Sequence, residues 1–204
     1  MPTVDLLTLV LLVAIAVGVT TAFLAWRERP EPGATPLTAI LVGQCWWSAF
    51  LVFQLQATTL DAKVLWVNLS WIGVVVIPVA WFMFSMDYTG KDHYVRLRYV
   101  ALLSVIPAIT ILLALTDGYH ELLYTHSTLV ESRGTLIINR TGGPWFWVIA
   151  GYTYVLGVIG MIPLLGFVQS DALPFRGQSV AILVGATVPW FTNLLHLAGV
   201  IPIP

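Results

Sequence analysis

Apolar residues along the chain gather into six runs, each near the ~20 helical residues needed to cross a hydrocarbon core. They are Leu6–Trp26, Leu37–Ala57, Val64–Phe84, Tyr99–Thr116, Trp145–Val168 and Val180–Ile201. Short polar clusters separate them. No period-2 alternation runs through these segments, so the pattern predicts helices, and their length predicts membrane spans. The expected fold is an all-α polytopic membrane protein, a single transmembrane unit over 1–204.

One polar stretch is much longer than the others. It fills 117–144 and is followed directly by Trp145-Phe146-Trp147, Tyr152 and Tyr154. Trp and Tyr concentrate where a bilayer meets water, because their rings are apolar and their N–H or O–H needs a polar partner. Within the stretch, Ser127–Glu131 and Thr135–Asn139 are β-prone runs joined by Ser132-Arg133-Gly134, which predicts a β-hairpin. An isolated hairpin is marginal in water. It is therefore expected to lie on the helix ends and cover Leu129, Leu136 and Ile138.

Composition strengthens the membrane reading. The chain is 58% hydrophobic and 9% charged, where a soluble domain carries about a quarter charged residues. Six basic residues (Arg27, Arg29, Lys91, Arg96, Arg98, Arg176) fall on one set of loops and three (Lys63, Arg133, Arg140) on the other. By the positive-inside bias the N-terminus and the 117–144 loop lie outside the cell. The first run follows Asp5 and precedes Arg27 and Arg29, the order of an anchor and not of a cleaved signal peptide.

Four runs contain an interior proline: Pro78, Pro107, Pro163 and Pro189. Each removes a helical N–H, so kinks are expected. Polar groups inside spans are expensive in lipid, and they mark either function or helix–helix contacts. Gln44 and Ser48 lie in the second run, Asn68 and Ser70 in the third, and Asn193 and His196 three residues apart in the sixth. Gln44, Asn68, Asn193 and His196 fall toward the same, outer half. With Trp71, His120, Trp145 and Tyr152 they form the expected ligand pocket, opening outward beneath the hairpin, with Pro189 in the sixth span passing the signal on.

Catalysis finds little support. His120, Glu121 and His126 do not have the spacing that puts two histidines on one helical face. No GxSxG motif precedes a helix, and no carboxylate pair occurs inside a span. A Schiff-base chromophore needs a lysine within a span, and Lys63 and Lys91 read as loop residues. Cys45 stands alone in an apolar run, which excludes a disulfide framework. No basic patch suits nucleic acid. Asn139-Arg140-Thr141 matches a glycosylation sequon, a short pattern that recurs by chance.

Four segments taken together resemble the N-terminal seven-helix sensor region of membrane histidine kinases of archaea and bacteria. They are LWVNLSWIGVVVIPVAWFMFSMDYTG (65–90), TDGYHELLYT (116–125), GPWFWVIAGYTY (143–154) and RGQSVAILVGATVPWFTNLLHLAGVIPIP (176–204). The resemblance implies a sensory bundle that precedes cytoplasmic PAS, kinase or cyclase modules. It also implies that Asn68, Trp71, Pro78, His120, Gly143, Pro144, Trp145, Tyr152, Pro189 and Asn193 are family positions. Six spans are present where seven are implied, so the chain reads as a region ending before the last helix.

The expected function is thus a non-enzymatic transmembrane input domain that detects a small or apolar ligand, or a membrane state. The partners this implies are the bilayer, a small molecule, cytoplasmic signalling domains in cis and, in a homodimer, a second copy of the chain. No cofactor is implied. A small transporter or channel subunit is the alternative from another class, although no internal repeat favours it.

Overall fold

The computed structural model describes residues 6–132, 135–169 and 176–197. The helices are α1 (Leu6–Arg27), α2 (Ala34–Gln56), α3 (Leu60–Val74), α4 (Val76–Tyr88), α5 (Leu97–Leu103), α6 (Val105–His120), α7 (Pro144–Gln169) and α8 (Arg176–Leu197). Two strands, β1 (Tyr124–Ser132) and β2 (Thr135–Gly142), stand between α6 and α7. Five spans among the described residues are long and apolar enough to cross a membrane: α1, α2, α3 with α4, α5 with α6, and Pro144–Gly166 of α7. The sixth apolar run is the single helix α8.

Two of the four spans with an interior proline break just upstream of it. Proline has no N–H to offer the carbonyl four residues earlier. Pro78 therefore leaves the Val74 carbonyl without its helical partner, and the helix is interrupted at Val75. Pro107 does the same to the Leu103 carbonyl, and the interruption is at Ser104. The other two expected kink sites are not breaks: α7 stays helical through Pro163 and α8 through Pro189.

The α3–α4 span is the central pillar. In its most apolar stretch 67% of residues are buried, against 11% for α1. It packs on α2 along one side and on α6 and α7 along the other, while α1 lies outside α2 and α8 lies against α7. Close approach of α2 and α3 depends on two glycines. A Cβ on Gly43 would sit 2.9 Å from the Gly73 carbonyl oxygen, and one on Gly73 would press on that of Gly43. Here Trp46 Nε1 donates to the Leu69 carbonyl at 2.9 Å. On the opposite side Trp81 Nε1 donates to Gly157 O at 3.3 Å, and Ser85 Oγ donates to Gly160 O.

Two apolar clusters lie along this pillar. At the hairpin end Trp71, Val75, Ala114, Leu123 and Ile149 are buried together. At the other end Trp81, Phe84 and Leu164 are buried, with Ile182 and Leu183 of α8 packed against them. Asp87 accepts a 2.8 Å bond from the Gly33 N–H and ties the α1–α2 turn to the end of α4.

The hairpin forms where expected and extends beyond Ser127–Asn139. Its antiparallel register pairs Leu129 with Ile138, Glu131 with Leu136 and Tyr124 with Gly142. Both strands touch α3, and β2 touches α7. Leu129 and Ile138 are half-buried, but Leu136 remains 37% exposed, so the cover expected over that residue is absent. Lys63 also departs from its expected loop setting. It lies in the first turn of α3, 1% exposed, and donates to the Gln54 carbonyl at 2.7 Å. An ammonium is well placed there, because the last carbonyls of α2 lack helical partners and carry partial negative charge.

Candidate functional site

The site grows from the way α6 ends. Glu121 takes the left-handed conformation (φ 51) and stops the helix. The chain then turns back over Asp117, whose carboxylate accepts the Leu123 N–H at 2.9 Å and the Tyr124 N–H at 3.2 Å. Asp117 is 6% exposed, and these bonds compensate the burial of its charge. His120 closes the same turn. Its Nδ1 accepts the Leu122 N–H at 3.1 Å, and its Nε2 lies 3.0 Å from Thr116 Oγ1. The Thr116 hydroxyl already donates to the Leu112 carbonyl. These partners assign His120 the neutral tautomer with its proton on Nε2. The 3.8 Å approach of Nδ1 to Asp117 is then not an ion pair.

Gly143 returns the chain. Its N–H donates to the Leu123 carbonyl at 2.9 Å, and a Cβ there would collide with the Leu122 backbone. The base of the hairpin is thereby pinned between the end of α6 and the start of α7.

Tyr124, first residue of β1, carries the centre of the cluster. Its ring packs on Trp71 (6.2 Å between centroids) and on Phe146 (5.7 Å). Arg140 of β2 lays its guanidinium over the ring, 4.9 Å from its centroid, and Nη1 donates to Asn68 Oδ1 of α3 at 3.4 Å. Burial pushes the Tyr124 hydroxyl up to about 12, although the nearby Arg140 charge pulls the other way. Burial likewise lowers the pKa of Arg140 from its usual range, partly offset by Tyr124 and Asp117. Arg140 Nε is buried without a hydrogen-bond partner. Opposite Arg140 the β1 strand carries a bulge: the register shifts between Thr125 and Thr128, and His126 takes φ 50. Bulges re-aim side chains, and His126 and Ser127 line a cavity here.

That cavity has a volume of about 200 Å³. Asp117, Glu121, Tyr124 and Arg140 complete its polar lining, with Val64 and Gly118 as its apolar part. A larger open groove on α1 holds only the hydroxyls of Thr20 and Thr21, both bonded back onto their own helix, so it offers nothing to orient a polar ligand.

The eight residues expected to line a pocket separate into groups. Asn68, Trp71 and His120 sit beside the cavity through Arg140, Tyr124 and Asp117. Trp145 and Tyr152 are in the same apolar cluster, but their polar atoms pin α7 to the fourth span. Trp145 Nε1 donates to Thr110 Oγ1 at 2.9 Å, and the Tyr152 hydroxyl donates to the Leu103 carbonyl at 2.5 Å. Gln44 is exposed on α2. Asn193 and His196 belong to α8, and their side chains lie outside the described residues. Asp117, Tyr124 and Arg140 were missed by sequence reasoning. A signal did exist: a carboxylate one residue past an apolar run, and a lone arginine in a strand of otherwise uncharged residues.

A family model described as the N-terminal 7TM region of histidine kinase matches residues 10–204. No curated protein and no solved structure matches the chain.

Proposed function

This chain belongs to the family of N-terminal 7TM regions of histidine kinases, and from that premise we propose that it receives its signal in the cavity beneath the hairpin. Signalling domains in cis on the cytoplasmic side take the signal onward, and the hairpin and N-terminus face outside. The positive-inside bias supports this orientation, since Lys63 and Arg140 belong to the hairpin end and Arg27 and Lys91 to the other. The protein is multi-pass in the membrane, and the region itself carries no catalytic role.

One observation carries the reading. A small cavity is walled by charged groups that are linked, through Arg140 and Asn68, to the buried α3–α4 pillar. An occupant that prefers one hairpin position over another would bias the pillar, and differential affinity for two states is what a ligand needs to signal. The interruptions at Val75 and Ser104 supply joints at which such states can differ. At the far end, the Asp87–Gly33 bond couples the pillar to the α1–α2 turn.

The test is made in the kinase that carries this region. Asn68→Ala and Arg140→Gln should shift autophosphorylation in native membranes by ~5-fold or more, the scale of ordinary coupling energies, with unchanged insertion. Wild-type output from both variants under every stimulus would remove the cavity from the signalling path.

A further inference from the structure

We infer that the cavity beneath the hairpin binds a small zwitterion of the amino-acid type, its carboxylate on Arg140 and its ammonium toward Glu121 and Asp117. This rests on the reading of that cavity as the input site.

The argument begins with an incomplete guanidinium. Arginine has five N–H donors and no acceptor. Among the described residues Arg140 uses one of them on Asn68, at a long 3.4 Å, and its buried Nε uses none. Arg140 is half-buried, and a guanidinium with a buried, unpartnered Nε and one long bond is costly. Asp117 attracts it through space but makes no ion pair with it among the described residues; its oxygens accept the Leu123 and Tyr124 N–H groups and keep lone pairs for a further donor. A planar oxyanion that accepts two parallel N–H bonds would satisfy the remaining Nη donors, and a carboxylate fits.

The charge of the lining rules on what else the ligand carries. Asp117 and Glu121 bring two carboxylates against the single guanidinium of Arg140. A plain anion reaching Arg140 would meet net repulsion from the two carboxylates. A plain cation would be attracted to them but leave Arg140 unsatisfied. A molecule with both charges a few ångströms apart satisfies the two halves together. Size agrees: about 200 Å³ lies below the roughly 300–1,000 Å³ of drug-sized pockets. The Tyr124 ring and Val64 provide an apolar wall for a short side chain, and the Ser127 hydroxyl and His126 ring offer further polar contacts.

The experiment uses the whole chain in lipid nanodiscs and isothermal titration with the uncharged aliphatic and hydroxyl amino acids. Propionate and isopropylammonium serve as the two halves of the probe. At least one amino acid should bind saturably at one per chain, and each half should bind at least 10-fold more weakly. Arg140→Lys should weaken amino-acid binding 10-fold or more. Glu121→Gln, at an exposed position that leaves the fold intact, should weaken the amino acid several-fold and leave propionate no weaker. No saturable binding by any amino acid overturns the inference. So does propionate binding as well as the amino acid, or affinity that neither substitution alters. Failure of the input reading would look different: a zwitterion that binds normally, is weakened by Arg140→Lys, and leaves kinase output unchanged.

Discussion

Tyr152 shows how one missing hydrogen atom propagates. Pro107 cannot donate, so the Leu103 carbonyl on the fourth span has no helical partner, and the Tyr152 hydroxyl from α7 occupies it at 2.5 Å. In a membrane no water is available to take that role. Sequence reasoning placed Tyr152 in the ligand pocket as one of the aromatics that could wall it. In the structure its hydroxyl is bound to a neighbouring backbone. Tyr152→Phe should therefore lower stability by about 1–3 kcal/mol, the cost of stranding a buried acceptor, and leave ligand affinity unaltered. Denaturation in mixed detergent micelles with parallel ligand titration reads both. Unchanged stability with weakened binding would return Tyr152 to the pocket. Arg140 is the reverse case. As a residue it read as one basic count in an outer loop, and its ties to Asn68 and Tyr124 emerge only when the hairpin docks on α3.

Among the elements, α3 was read most fully and α2 least. The run 64–84 has the length of a span, and the pillar occupies Leu60–Tyr88. Its break upstream of Pro78 follows from local chemistry. Nothing local distinguishes Gly43 and Gly73 from other transmembrane glycines, yet their meeting brings α2 and α3 into backbone contact. Small residues let helices approach closely where lipid gives no hydrophobic drive. Gly73→Ala should cost about 1–3 kcal/mol, since the added methyl presses on a carbonyl and on the Trp46 ring. Gly151→Ala in α7, where a Cβ meets nothing within 4 Å, should be neutral or slightly stabilising. Thermal unfolding of the two variants side by side decides. Equal midpoints would mean that α2 and α3 are free to separate.

For the whole molecule, the fold has two distinguishable ends. One holds the hairpin, the α2–α3 turn and Lys63. The other holds the Gly33–Asp87 bond and the Asp92–Tyr94 turn. In a Cys45→Ala background, an impermeant thiol reagent should label Glu131→Cys in intact cells and leave His93→Cys unlabelled until the cells are opened. Both positions are exposed in the fold, so access reports the membrane side and not burial. The opposite pattern would invert the orientation and place the cavity in the cytoplasm.

By itself the sequence determined the features set by local chemistry. Apolar runs of spanning length make helices in a bilayer, because only internal hydrogen bonding satisfies the backbone there. Two β-prone runs about a Gly-containing link make the hairpin, and proline marks where a helix can break, as it does at Val75 and Ser104 but not at Pro163 or Pro189. The tertiary structure alone decided which polar groups meet. Asn68 and Arg140 are 72 residues apart in the chain, and Tyr152 and Leu103 are 49 apart. Depth in the membrane can be estimated by counting along a helix, and on that basis Gln44 and Asn68 were grouped. The direction a side chain faces depends on how each helix is rotated against its neighbours. That rotation is set by packing contacts such as Gly43 on Gly73 and Trp81 on Gly160, and no single segment encodes it.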